Sequence, residues 1–265
     1  MVYLKGITCS LLLGPKGKRR KALEVGEPII DLESNETTSL LEVEEGEFAI
    51  DISITYTESM MEGISRDEEE KWRSNMYFQI RICADGLDII DRINRTPLNR
   101  NKTMYRFLIM EDTVCQDRYG RWCTRRFTFK SIDRVTFDPE NKDGAEMGQI
   151  KVVIERVRYV EVLHVAELEV KGLNENMPSI SKESAAYVDI KHVFCLGPEE
   201  GHIGTVEEAL SRKEKSTNQG HLGYNVKVEH LDPVDRPYVE LRLIYRAKDF
   251  VDRVRAKRRV PTPAG

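Results

Sequence analysis

The chain has 265 residues, 40% of them apolar and 32% charged, with a formal net charge of −4. That apolar content supplies a proper core, while a calculated pI near 5.9 argues against nucleic acid as a partner, since such binders normally carry a Lys and Arg excess. No run approaches the roughly eighteen consecutive apolar residues of a membrane helix, and Met1-Val-Tyr-Leu-Lys-Gly-Ile7 lacks the basic and then apolar stretches of a secretory signal. The expectation is an intracellular protein, cytoplasmic or nuclear.

Taken in chain order, Tyr3–Leu13 reads as a first strand and is followed by the basic run Lys16-Gly-Lys-Arg-Arg-Lys21. From Ala22 to Ser65 there are then twelve acidic residues and no Lys, Arg or His. Inside that segment Phe48, Ile50, Ile52, Ile54 and Tyr56 alternate with Ala49, Asp51, Ser53 and Thr55, the period of a strand with one buried face. Arg66–Arg73 predicts a short helix. Met76, Phe78, Ile80 and Ile82 repeat the alternation, Ala84-Asp-Gly86 supplies a hairpin turn, and Leu87–Ile93 is the return strand. Further strands are predicted over Met104–Met110, Trp122–Phe129, Gln149–Val157, Tyr159–Val170, Leu222–Glu229 and Pro237–Tyr245. Two more helical segments are expected, Thr205–Arg212 with Thr205 and Glu208 as a capping box, and Ala247–Lys257.

Many short strands and few helical segments predict an all-β fold, an antiparallel β-sandwich or jelly-roll-like architecture with a few short peripheral helices. The expected division is a sandwich core over 1–170, a polar connection with a short helix over 171–220, and returning strands, a short helix and a basic tail over 221–265. The predicted core is Phe48, Ile50, Ile52, Ile54, Phe78, Ile80, Ile82, Phe127, Phe129, Val152, Ile154, Leu241 and Leu243. The chain beyond Lys257 has no apolar face to bury and is expected to be an exposed tail.

Chemistry-bearing patterns are sparse. The five cysteines (Cys9, Cys83, Cys115, Cys123 and Cys195) lack the Cys-x-x-Cys spacing of a zinc site and the density of a disulfide framework, so unpaired thiols are expected. Cys115 and Cys123 flank a predicted turn, which would set them opposite each other on a hairpin. Gly14-Pro-Lys-Gly-Lys18 lacks the spacing of a phosphate loop, because Gly14 and Gly17 are too close and Arg19 stands where Ser or Thr is needed. The five histidines (His164, His192, His202, His221 and His230) are dispersed, and a metal or nucleophile–base site needs several groups to converge. No catalytic residue, metal ligand or cofactor is assigned from these patterns, and the expectation is a protein that is not an enzyme.

Five segments in order carry a family resemblance: Leu4-Lys-Gly-Ile-Thr-Cys-Ser10, Glu44-Glu-Gly-Glu-Phe-Ala-Ile50, Trp122-Cys-Thr-Arg-Arg-Phe-Thr-Phe129, Met147-Gly-Gln-Ile-Lys-Val-Val-Ile154 and Asp235-Arg-Pro-Tyr-Val-Glu-Leu-Arg-Leu-Ile-Tyr-Arg-Ala-Lys-Asp249. Together they resemble a fungal family known only as a domain of unknown function. Val260-Pro-Thr-Pro263 stands where that family closes on an Ile-Pro-Arg-Pro type ending. The resemblance implies a β-rich fungal domain and no assigned activity.

Charge is then the main functional signal. Lys16, Lys18, Arg19, Arg20 and Lys21 form one basic cluster, and Lys257, Arg258 and Arg259 close a second that begins at Arg253. Arg121, Arg125, Arg126 and Lys130 form a third among Trp122, Phe127 and Phe129, but the alternation with Thr128 and Lys130 turns Phe127 and Phe129 toward a core. Within the acidic segment, Glu42, Glu44, Glu45 and Glu47 flank a strand that would hold them in place, and they are the candidate partner-binding residues. The expected function is a protein–protein interaction or scaffold domain with segregated charged surfaces, its partner another protein or further copies of itself. The alternatives are a structural coat or shell component, as of a fungal virus, and an acidic-faced chaperone for basic partners. Lys257-Arg-Arg259 also matches a nuclear localisation element.

Overall fold

The computed structural model describes residues 2–94, 106–116, 121–132, 147–163, 190–202, 225–233 and 235–259. Its strands are β1 (Val2–Leu4), β2 (Ile7–Leu13), β3 (Arg20–Lys21), β4 (Leu23–Glu24), β5 (Ile29–Asp31), β6 (Glu36–Val43), β7 (Gly46–Ile54) and β8 (Met76–Ala84). They continue with β9 (Leu87–Asn94), β10 (Arg106–Met110), β11 (Asp112–Gln116), β12 (Trp122–Ser131), β13 (Gln149–Leu163), β14 (His192–His202), β15 (Asn225–His230) and β16 (Val239–Ala247). Two α-helices, α1 (Arg66–Asn75) and α2 (Lys248–Arg259), and a 3-10 turn at Glu58–Met61 complete the described elements.

The described strands form two sheets of eight. One runs β1-β2-β7-β12-β11, with β10 on β7, β14 on β12 and β3 on β2; the other runs β4-β6-β16-β13-β8-β9, with β15 on β13 and β5 on β6. One core joins them: Phe48 of β7 stacks on Phe129 of β12 at 4.2 Å between centroids, and Phe129 meets Tyr245 of β16 at 4.6 Å. The fold is therefore all-β with few helices, and every residue of the predicted core is buried. The inward rows are apolar because sheet side chains alternate faces, so each period-two run delivers its Ile and Phe positions to one side.

Several boundaries differ from the sequence reading. Tyr3–Leu13 is two strands, because Lys5 (φ 46) and Gly6 (φ 81) take the positive φ angles of a tight turn and fold β1 back on β2. Gln149–Val157 and the following run are one strand, β13, carrying a register shift between Tyr159 and Glu161. β6 and β16 pair in parallel, Thr37 opposite Leu241 and Leu41 opposite Tyr245, within an otherwise antiparallel arrangement. β16 also lies inside its sheet between β6 and β13, so the late strand is central. Lys257 closes the predicted helical segment as expected, while Arg258 and Arg259, expected in the tail, extend α2 to Arg259. The predicted helix at Thr205–Arg212, the connection over 171–189, and residues 260–265 lie outside the described residues.

No helix among the described residues is long and apolar enough to cross a membrane.

Candidate functional site

The acidic segment supplies β4, β5, β6 and β7, and the strand order brings remote cations to it. Glu42 points from β6 to Arg255 of α2 at 3.4 Å, Glu44 in the β6–β7 turn meets Arg20 of β3 at 2.7 Å, and Glu47 meets Arg126 of β12 at 2.9 Å. Glu45 occupies the same exposed turn. Glu36, at the start of β6, meets Arg242 of β16 at 3.2 Å. In the basic run, Arg19 and Lys16 both reach Glu111, whose carboxyl is pushed up by burial but brought net below its ordinary value by those two cations. Lys18, Arg20 and Lys21 are exposed. The predicted partner-binding carboxylates and much of the basic cluster thus close on partners within the chain. The corner where the chain crosses from one sheet to the other is held by these ion pairs.

What is left of the acidic segment lies around β5. Glu27, Asp31 and Glu33 are exposed and make no ion pair with any described residue. Among them stand three large apolar side chains in solvent: Ile29 is 73% exposed, Ile30 55% and Leu32 69%. Leu23, on the neighbouring β4, is 52% exposed. Among the described strands β5 is an edge strand that pairs with β6 alone, Ile29 opposite Thr38, Ile30 opposite Thr37 and Asp31 opposite Glu36. Single exposed apolar residues are ordinary on a protein surface, whereas a contiguous group on a sheet edge marks an interaction site or an aggregation hazard.

This edge is held in place. Asn35 sits in the left-handed region (φ 57) at the turn after β5, donates its side-chain amide to the Pro237 carbonyl at 3.1 Å, and accepts the Glu240 N–H at 2.9 Å. Asp31 accepts the backbone N–H groups of Glu33 at 2.9 Å and of Ser34 at 3.4 Å. Hydrogen bonds from the Ser34 side chain and from these two N–H groups hold its carboxyl below the ordinary value, so it stays charged. The short turn signal Glu33-Ser-Asn35 is visible in the sequence; the exposure of Ile29, Ile30 and Leu32 is not, because apolar residues default to a core reading.

Elsewhere several buried polar side chains act as fasteners. Asp85, in the β8–β9 turn, accepts N–H bonds from Gly148 and Phe194, each at 2.8 Å, and the Tyr245 hydroxyl at 2.5 Å. Arg156 and Asp232 form a buried pair in which the guanidinium Nε reaches both carboxylate oxygens at 3.0 and 3.1 Å. The same guanidinium donates to the carbonyls of Met60 and Glu62 and lies 4.8 Å from the Tyr238 ring centroid. Burial pushes the Cys9 thiol up to about 12 and the Cys195 thiol up to about 11, which suppresses their thiolates. β11 and β12 pair antiparallel, with Cys115 opposite Cys123. His192 and His230 fall on different sheets, while His164 and His221 lie outside the described residues. No group of three or more His, Cys, Asp and Glu side chains able to hold a metal ion occurs among the described residues.

No family model matches the chain, and neither a curated protein nor a solved structure does. The fungal resemblance therefore remains an expectation carried by the five sequence segments alone.

Proposed function

We propose that this chain is a non-enzymatic protein-interaction module whose docking surface is the edge formed by β5 and its flanking residues. The single observation that carries this reading is the exposure of Ile29, Ile30 and Leu32 together on a sheet edge that no other described strand covers. Burying each of them would contribute about 1.5–3 kcal/mol before the costs of association. The edge is already ordered by Asn35 and Asp31, so a partner need not supply that ordering.

The docking surface is placed at Glu27–Glu33, away from Glu42, Glu44 and Glu47, because those three are engaged by Arg255, Arg20 and Arg126. Surface pairs of this kind contribute little to stability, but each offers a partner less uncompensated charge. A shell component would rest on sandwich architecture alone, and fold does not determine function. A chaperone for basic partners would draw on the same uncompensated carboxylates, and so becomes a variant of the β5 reading.

The test is the size of the complex formed in native extract. Wild-type protein should elute with a partner of defined mass, and the Ile29→Lys, Ile30→Lys, Leu32→Lys variant should elute alone with an unchanged circular dichroism spectrum. A variant that retains the wild-type elution position places docking elsewhere.

A further inference from the structure

We infer that the occupant of the β5 edge is an extended segment of another protein, with apolar residues at its centre bracketed by Lys or Arg, which adds to the sheet as a further strand. This rests on the reading of β5 as the docking surface and names what docks there.

The backbone argues for a strand. β5 bonds to β6 on one side, and its other side carries no ladder among the described residues. Main-chain pairing at such an edge supplies affinity, and side-chain pockets on alternate positions supply selectivity. Successive side chains alternate across the pleat. Ile30 is level with Thr37, which faces the core, whereas Ile29 and Asp31 are level with Thr38 and Glu36 on the outer face. An added strand therefore meets an apolar residue on each face near its middle, and a carboxylate two positions along the outer face from Ile29. Glu27 and Glu33 stand beyond the two ends of β5.

Charge selects the chemistry of that strand. Glu27, Asp31 and Glu33 lack a compensating cation among the described residues, so Lys or Arg at the matching positions completes the pairs and steers encounter. The same charges disfavour a second copy of this chain. Two β5 strands paired about a two-fold axis would set like-charged carboxylates across from each other, which destabilises cross-strand pairs. The protein's own exposed basic stretch around Lys18 contains Gly17 and Pro15 and has no apolar pair to cover Ile29 and Ile30.

The experiment pans a random-peptide phage library against the full chain at low salt and counter-screens on the Ile29→Lys, Ile30→Lys variant. A Glu27→Gln, Asp31→Asn, Glu33→Gln variant isolates the charges: all substituted side chains are exposed, and an amide at position 31 still offers an oxygen to the Glu33 and Ser34 N–H groups. The expected binders interleave apolar residues with Lys or Arg, weaken at least about tenfold on the charge-neutral variant and at molar salt, where the Debye length shrinks to about 3 Å, and are abolished by a central Pro that cannot donate to the ladder. Edge-dependent binders that are acidic or that tolerate the Pro overturn the strand inference while leaving the docking surface standing. Recovery of no edge-dependent sequence overturns both. Self-association of the full chain that the Lys variant abolishes identifies a second copy as the occupant and also overturns the inference.

Discussion

The Tyr245 hydroxyl donates to the Asp85 carboxylate at 2.5 Å, joining the β8–β9 turn to β16, a central strand of the same sheet. Phe194 donates its N–H to the same oxygen, which ties β14 of the opposite sheet to this point. Asp85 is fully buried, and desolvation raises its pKa above 3.8 despite those hydrogen bonds. The native state therefore holds this proton more tightly than the unfolded chain. The contribution of Asp85 to stability is largest below pH 3.8 and declines as pH climbs through the raised native value. Tyr245→Phe should cost about 1–3 kcal/mol by removing one partner of a buried acceptor. Urea titrations across the acidic range should show the decline in wild type and its absence in Asp85→Asn; identical pH profiles would contradict the assignment.

Arg156 and Asp232 should be more sensitive still. Asp232→Ala leaves a guanidinium buried against the Tyr238 ring and the Met60 and Glu62 carbonyls without its counter-charge. Breaking a buried pair from one side costs about 3–5 kcal/mol. Chemical denaturation measures it, and a loss below about 1 kcal/mol would mean that the pair behaves as a solvated surface pair.

The β1–β2 turn makes a sharp local prediction. A Cβ on Gly6 would collide with the Thr55 carbonyl oxygen, and the residue sits at φ 81. Gly63 has a similar φ of 83 with open space around it. Gly6→Ala should therefore lower the thermal midpoint well beyond Gly63→Ala, which bears only the backbone strain of roughly 1–3 kcal/mol. Equal shifts would show that the collision is relieved by movement of the turn.

These residues also show what the sequence made legible. The strands β7, β8 and β16 were readable because Ile, Phe and Leu occupy their inward positions in strict alternation. β6 was not, because two of its buried positions are Thr37 and Ser39, so its pattern carries no apolar signal until Leu41 and Val43. Its partner is β16, some two hundred residues away, a pairing that no local pattern encodes. β14 was hidden by Gly197-Pro-Glu-Glu-Gly201, which reads as a loop but belongs to a strand whose pairing with β12 shifts register there. Pro198 is tolerated because β14 pairs with β12 alone among the described strands. In the candidate site the segregation of charge was plain from the residues. Which carboxylates remain uncompensated was not, since Arg126 and Arg255 reach the acidic segment only through the fold.

The ion pairs at the sheet crossing and the β5 carboxylates should separate by experiment. Glu42→Gln, Glu44→Gln, Glu47→Gln removes three partly exposed pairs and should lower stability by about 0.2–1 kcal/mol per pair, without affecting partner binding. Glu27→Gln, Asp31→Asn, Glu33→Gln should do the reverse, weakening binding in proportion to low-salt attraction while leaving the melting temperature nearly unchanged. Calorimetry and binding measured on the same preparations decide it, and the opposite assignment of effects would return the docking surface to Glu42–Glu47.

The central claim is that a partner protein seats on the β5 edge, and site-specific photocrosslinking in the native cell tests it most directly. A photoreactive amino acid at Ile30, 55% exposed, is compared with one at Tyr3, 54% exposed on the other sheet. The two positions are equally open to solvent, so chance encounter should label them alike. The account predicts one discrete heavier adduct from position 30, absent from position 3 and lost when Ile29 and Leu32 are replaced by Lys. No adduct at position 30, or the same adducts at both positions, would contradict it.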